Sequence, residues 1–188
     1  MPVPVAKVGP SPPTAGWPPS VAIPPPAMPF VRCDTKNLEM QLIGQGVAAG
    51  SARAAIEVRN MSNRDCGLYG YAGIQLLNAY RLPRPTKVVW STEAFFLTTP
   101  AVAEIVGLLS GTPPLAADRS VPGHAYIPVS FSGVQEPCSQ AAFLKVTPPD
   151  ASTSLVISVA PPGSVPGYMS VCSAGTLVVN PTQAAVVR

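Results

Sequence analysis

From Val31 onward the chain alternates apolar and polar positions over short stretches. Leu38, Met40 and Leu42 alternate with Asn37, Glu39 and Gln41, and Ala52, Ala54, Ile56 and Val58 alternate with Arg53, Glu57 and Arg59. A period of two belongs to a strand with one buried face. The same reasoning predicts strands over 71–77, 86–90, 125–131, 142–147, 154–159 and 176–180. Turn-forming residues separate them: Gly44-Gln45-Gly46, Pro122-Gly123, Pro148-Pro149-Asp150 and Pro161-Pro162-Gly163. Seven or eight short strands punctuated in this way predict an all-β fold, an antiparallel sandwich. One stretch departs from the pattern. Residues 100–109 are expected to form a short helix in a long connection, with Pro100 at its first position and Gly111 beyond its end.

Composition divides the chain in two. Eleven of the 25 prolines fall within the first 30 residues. That segment favours polyproline II and has too little bulky apolar content for a core, so residues 1–30 read as a disordered or extended proline-rich spacer. Residues 31–188 form the expected domain. Charged residues make up only 11% of the chain, which excludes a coiled coil or a highly charged disordered protein. The net charge of +3 is too small and dispersed for a nucleic-acid footprint. No charge lies between Asp150 and Arg188, but Pro161, Pro162, Gly163, Pro166, Gly167 and Pro181 interrupt that run. A spanning helix needs about 20 mostly apolar residues, so no transmembrane segment is expected.

Four cysteines, Cys33, Cys66, Cys138 and Cys172, suit two disulfides in an oxidising compartment. Three connectivities are possible, and the separations of 33 and 34 residues favour Cys33–Cys66 with Cys138–Cys172. Zinc is the rival reading, but no C-x-x-C pair exists. The chain lacks the basic start, apolar stretch and cleavage site of a secretory signal. Export with later trimming, leaving an added Met1, is the reading the cysteines favour over a cytosolic protein.

The catalytic inventory is thin. His124 is the single histidine, beside a turn where a solvated or capping role is expected, and no nucleophile elbow G-x-S-x-G occurs. Glu93 and Glu104 flank Phe95 and Phe96 and are the one carboxylate pair near aromatics, so a cell-wall glycan- or peptide-acting hydrolase is the alternative function. Calcium loops, phosphate loops and dinucleotide fingerprints are absent, and no metal or cofactor is expected. Two stretches remain as contact candidates. Arg81, Arg84 and Lys87 cluster around Pro83 and Pro85 in a loop between strands, and Phe95, Phe96, Leu108 and Leu109 form an apolar insertion that would be a partner surface if exposed.

The run Val58-Arg59-Asn60-Met61-Ser62-Asn63-Arg64-Asp65-Cys66-Gly67-Leu68-Tyr69-Gly70-Tyr71-Ala72-Gly73 resembles the L-x-N-x-S/G-x-x-x-C-x-L-x-G-Y-P-G signature of an actinobacterial exported domain, the domain of unknown function 4232. Cys33 before the first strand, Val121-Pro122-Gly123-His124-Ala125, Cys138 with Val146-Thr147-Pro148-Pro149, and Cys172 before the last strand are similar too. Ala72 stands where the family has proline, and the connection over 92–118 is longer than its pattern requires. The resemblance implies an immunoglobulin-like sandwich in an exported or lipid-anchored envelope protein, often tethered by a low-complexity linker. It supplies no catalytic residues. The expected function is therefore a non-catalytic, extracytoplasmic binding domain, secreted or attached to the cell envelope. Its partner would be a protein or envelope component, with any membrane tether upstream of the spacer.

Overall fold

A computed structural model describes residues 30–48, 50–93, 102–112, 123–160 and 167–184, with the backbone alone for 44–48. The proline-rich spacer, Phe30 apart, lies outside the described residues, as do Phe95 and Phe96. Twelve strands follow in chain order: β1 (Leu38–Ala48), β2 (Ser51–Asn60), β3 (Cys66–Tyr69), β4 (Gly73–Leu77), β5 (Lys87–Trp90) and β6 (Ile105–Leu108). Then come β7 (Ala125–Ser132), β8 (Ser139–Ala141), β9 (Phe143–Thr147), β10 (Leu155–Ser158), β11 (Met169–Val171) and β12 (Thr176–Val179).

The protein is nearly all β, built of several sheets, and the eight strands expected from periodicity all form. The largest sheet has the order β1-β2-β7-β12-β5, and a second has the order β10-β9-β4. Pairing is antiparallel except where β5 runs parallel to β12. Gly44-Gln45-Gly46 does not end β1. The pairing with β2 instead shifts register between Ile43 and Gly46 and then continues to Ala48 opposite Ser51. Glycine accommodates such an irregularity without leaving the ladder. The reversal comes later, where Gly50 takes a left-handed φ of 80°.

Alternation places Ala52, Ala54, Ile56 and Val58 of β2 beside Ile127, Val129 and Phe131 of β7 on the inner face of the main sheet. They share one apolar cluster with Ile74 and Leu76 of β4, Leu144 and Val146 of β9, and Ile157 of β10. Both sheets thus bury their inner faces in the same core, which is why each strand reads as half apolar.

The four strands that alternation did not predict form two small sheets, β3–β6 and β8–β11. Each small sheet is fastened by a disulfide. Cys33–Cys66 ties the segment before β1 to the first residue of β3, with Cα atoms 4.9 Å apart. Cys138–Cys172 joins the residue before β8 to the residue after β11. The pairing is the one favoured by the cysteine separations.

The helix expected over 100–109 is corrected. Ile105–Leu108 is a strand, paired residue by residue with β3 from Cys66↔Leu108 to Tyr69↔Ile105. β-branched Ile105 and Val106 fit an extended backbone, and the cross-strand ladder outweighs a weak local helix signal. Val106 and Leu108 turn inward while Ile105 and Gly107 do not, a burial period of two. Residues Cys172–Gly175 make a four-residue helical turn, but Ser173 and Ala174 have φ of 54° and 58°, so it is a tight left-handed reversal between β11 and β12.

Candidate functional site

The connection from β4 to β5 folds back along the edge of β4. Gln75 Nε2 donates to the Arg84 carbonyl at 2.7 Å and to Thr86 Oγ1 at 2.8 Å, while the Leu76 amide donates to Thr86 Oγ1 at 3.0 Å. The Arg84 amide donates to the Leu76 carbonyl at 2.9 Å. At the tip, Asn78 Oδ1 accepts from the amides of Tyr80 and Leu82, both at 2.9 Å. This side chain mimics a backbone turn, and it allows Arg81 a left-handed φ of 60°. The backbone is therefore pinned while its side chains point outward.

Cations and large apolar groups are exposed along the 80–90 stretch, with Lys87 and Trp90 on opposite faces of β5. Tyr80 is 85% exposed and Trp90 62% exposed, with Leu82 and Val89 also open to solvent. Arg81, Arg84 and Lys87 are all exposed. None of the three forms a salt bridge among the described residues. The Arg81 guanidinium lies over the Phe143 ring at 5.2 Å, a cation–π contact that holds a charge in place without neutralising it. Trp90 stacks on Tyr71 with ring centroids 5.7 Å apart, and its Nε1 donates to the Ala72 carbonyl at 3.2 Å. An exposed indole held on two sides is a rigid contact group.

The other expected contact region is only partly preserved. Leu109 is 43% exposed, but Leu108 is fully buried in the core and is corrected from contact residue to packing residue. Its inward position follows from the strand, because Cys66↔Leu108 pairing turns the side chain beneath β3. Glu93 and Glu104 are both exposed. The Glu93 carbonyl accepts from Asn180 at the end of β12, whereas Glu104 precedes β6. Neither lines the cavity bounded by Arg59, Asn60 and Thr112 or the one bounded by Ser51, Ser130 and Thr176.

His124 is a second correction, and the sequence gave little warning of it. The ring expected to be solvated is buried, with 0% of its side chain exposed and Nδ1 2.9 Å from Glu57 Oε1. Tyr126 donates its hydroxyl to the same oxygen at 3.2 Å, and Gln41 Nε2 donates to Glu57 Oε2 at 2.9 Å. Gln41, Glu57 and Tyr126 are successive cross-strand partners on β1, β2 and β7. A histidine–carboxylate pair can orient a nucleophile's base, but here both groups are shut away from solvent and both carboxylate oxygens are engaged. The cluster reads as a polar pin across three strands. The one hint in sequence is a carboxylate within Ala54-Ala55-Ile56-Glu57-Val58.

Several other charges serve local structure. Arg59 reaches Glu39 at 2.6 Å across the β1–β2 ladder. Asp65 accepts from the Ser110 amide at 2.8 Å, and that hydrogen bond holds its carboxyl below the usual range. Asp34 is lowered and Lys36 raised by the hydrogen bond between them. Among the described residues no group of three or more His, Cys, Asp or Glu could hold a metal ion, and no helix is long and apolar enough to cross a membrane.

A family model described as Domain of unknown function (DUF4232) matches residues 33–183. The chain belongs to the DUF4232 family. The match begins at Cys33 and runs past Cys172, so it contains both disulfides and all twelve strands. Neither a curated protein nor a solved structure matches the chain.

Proposed function

We propose that this DUF4232 domain is a non-catalytic binding module that works outside the cytoplasm, and that it holds an acidic protein partner on the face formed by residues 78–90. The two disulfides are consistent with an oxidising compartment. The observation that carries the binding role is the exposure of Arg81, Arg84 and Lys87, together with that of Tyr80 and Leu82, along a segment whose backbone is pinned to β4. Arginine and large aromatics are the side chains that dominate protein interfaces, and unneutralised cations favour a partner with complementary charge.

Charge reversal of all three cations, Arg81→Glu, Arg84→Glu and Lys87→Glu, tests the reading by capture of partners from a cell-envelope extract of the source organism. The fold should persist, with stability lowered by no more than about 1–2 kcal/mol, most of it the lost Arg81–Phe143 contact. Capture should fall at least tenfold and should weaken with added salt in the unmodified domain. Equal capture by the unmodified and reversed domains would remove this face from consideration.

A further inference from the structure

Between Pro83 and Ser91 the chain crosses from the second sheet to the main one. Residues 83–86 lie beside β4, and β5 then pairs with β12 as the edge strand of the main sheet. The first half has little backbone to offer a partner. Pro83 and Pro85 carry no N–H, the Arg84 amide and carbonyl are bonded to Leu76 and Gln75, and the Pro85 carbonyl accepts from Ser139 Oγ.

The second half is different. The Ser91 amide donates to the Val179 carbonyl at 3.1 Å, and the Ser91 carbonyl accepts from Asn180 Nδ2 at 2.7 Å. Successive residues of a strand aim their backbone groups at opposite edges. Lys87 and Val89 therefore face β12 as Ser91 does, while the N–H and C=O of Val88 and Trp90 face the outer edge. Among the described residues no hydrogen bond reaches those four groups. The side chains divide by face. Lys87 and Val89 are exposed on one, while on the other Val88 packs against the core and Trp90 is exposed. Arg81, Arg84 and Lys87 stand along 78–90 with no acid among them, and the first acid beyond is Glu93.

We propose that the partner docks as an extended acidic segment that adds a strand to the outer edge of β5, an inference that rests on the acidic partner proposed for this face. Strand addition takes its affinity from main-chain hydrogen bonds and its selectivity from alternate side chains. The added strand sets acidic side chains on the Lys87 side and apolar ones on the Trp90 side. A second copy is the poorer occupant, because pairing two β5 edges brings two cationic loops together.

The probe is a capped heptapeptide alternating glutamate and valine, titrated against the full chain. Binding should saturate and slow exchange of the Val88 and Trp90 amides at least tenfold, leaving that of Val89, already bonded to β12, unchanged. Two further peptides carry N-methyl groups, one at every glutamate and one at every valine. One of them should bind at least tenfold more weakly and the other about as tightly as the parent, because a single edge of the peptide meets β5. A lysine–valine peptide should also be at least tenfold weaker. No saturable binding up to millimolar peptide overturns the proposal. Charge-sensitive binding with unprotected amides, or with both methylated peptides equal to the parent, overturns the strand site and keeps the acidic partner. Protected amides with equal binding of the glutamate and lysine peptides support the strand site and overturn the acidic partner. Protection that rises with protein concentration in the absence of peptide assigns the edge to a second copy and overturns the proposal.

Discussion

Glu57 occupies an outward position of β2, yet its side chain is only 1% exposed and three neighbours converge on it. Removing the carboxylate at the centre of a buried polar cluster takes one hydrogen bond from each of three neighbours, a loss of about 3–5 kcal/mol. Glu57→Ala should therefore lower the urea-unfolding free energy by that order. Glu57→Gln keeps one acceptor oxygen and should cost less, and equal losses for the two would contradict the pin. At this scale the sequence is nearly silent. Arg53 and Arg59 alternate with the core of β2 just as Glu57 does, yet Arg53 is exposed and Arg59 ends in an ion pair with Glu39.

Four elements escaped the alternation pattern, and all are three or four residues long. Short strands show little of their period, and β3, β8 and β11 lack the runs of β-branched residues that mark the equally short β5, β10 and β12. In β6 the run Ile105-Val106 falls in a stretch with helix-like ends at Pro100 and Gly111. The pairs gain support from the disulfides beside them. Crosslinking a loop of this length stabilises by about 2–5 kcal/mol. Replacing Cys138 and Cys172 together by serine should cost that much in chemical denaturation. Amide exchange should then accelerate first in β8 and β11, ahead of β2 and β7, because the main sheet keeps its core. Uniform acceleration in both sheets would show that the small sheet is not an independently fastened part.

Phe30 packs on a bare piece of backbone. Gly67 and Gly107 are cross-strand partners on β3 and β6, and a Cβ on either would lie 3.1 Å and 3.0 Å from Phe30 atoms. Two adjacent positions without side chains make a shallow seat that the phenyl ring fills. The Gly67 amide donates to the Val31 carbonyl and the Cys33 amide to the Gly67 carbonyl, so residues 31–33 add alongside β3. Phe30→Ala should cost about 1–2 kcal/mol, the value of a partly buried aromatic ring. Gly107→Val, which fills the seat, should accelerate exchange of the Cys33 and Gly67 amides. Unchanged exchange at both in the variant would show that the ring does not hold residues 31–33 against β3.

Local pattern determined the all-β class, eight strand positions and the favoured cysteine pairing, because alternation and chain separation are properties of neighbours in sequence. It also placed Arg81, Arg84 and Lys87 in a loop; the structure leaves all three exposed but makes Lys87 the first residue of β5, paired with Thr176. Tertiary structure decided the rest. Residues 105–108 became a strand once β3 lay beside them, which sent Leu108 into the core. His124 and Glu57 were buried together although they stand 67 positions apart. The serines around Ser130 became a cavity only when three strands and a disulfide-bound reversal met. Periodicity tells which residues share a face of a strand. What covers that face depends on segments distant in the chain, and only packing brings them there.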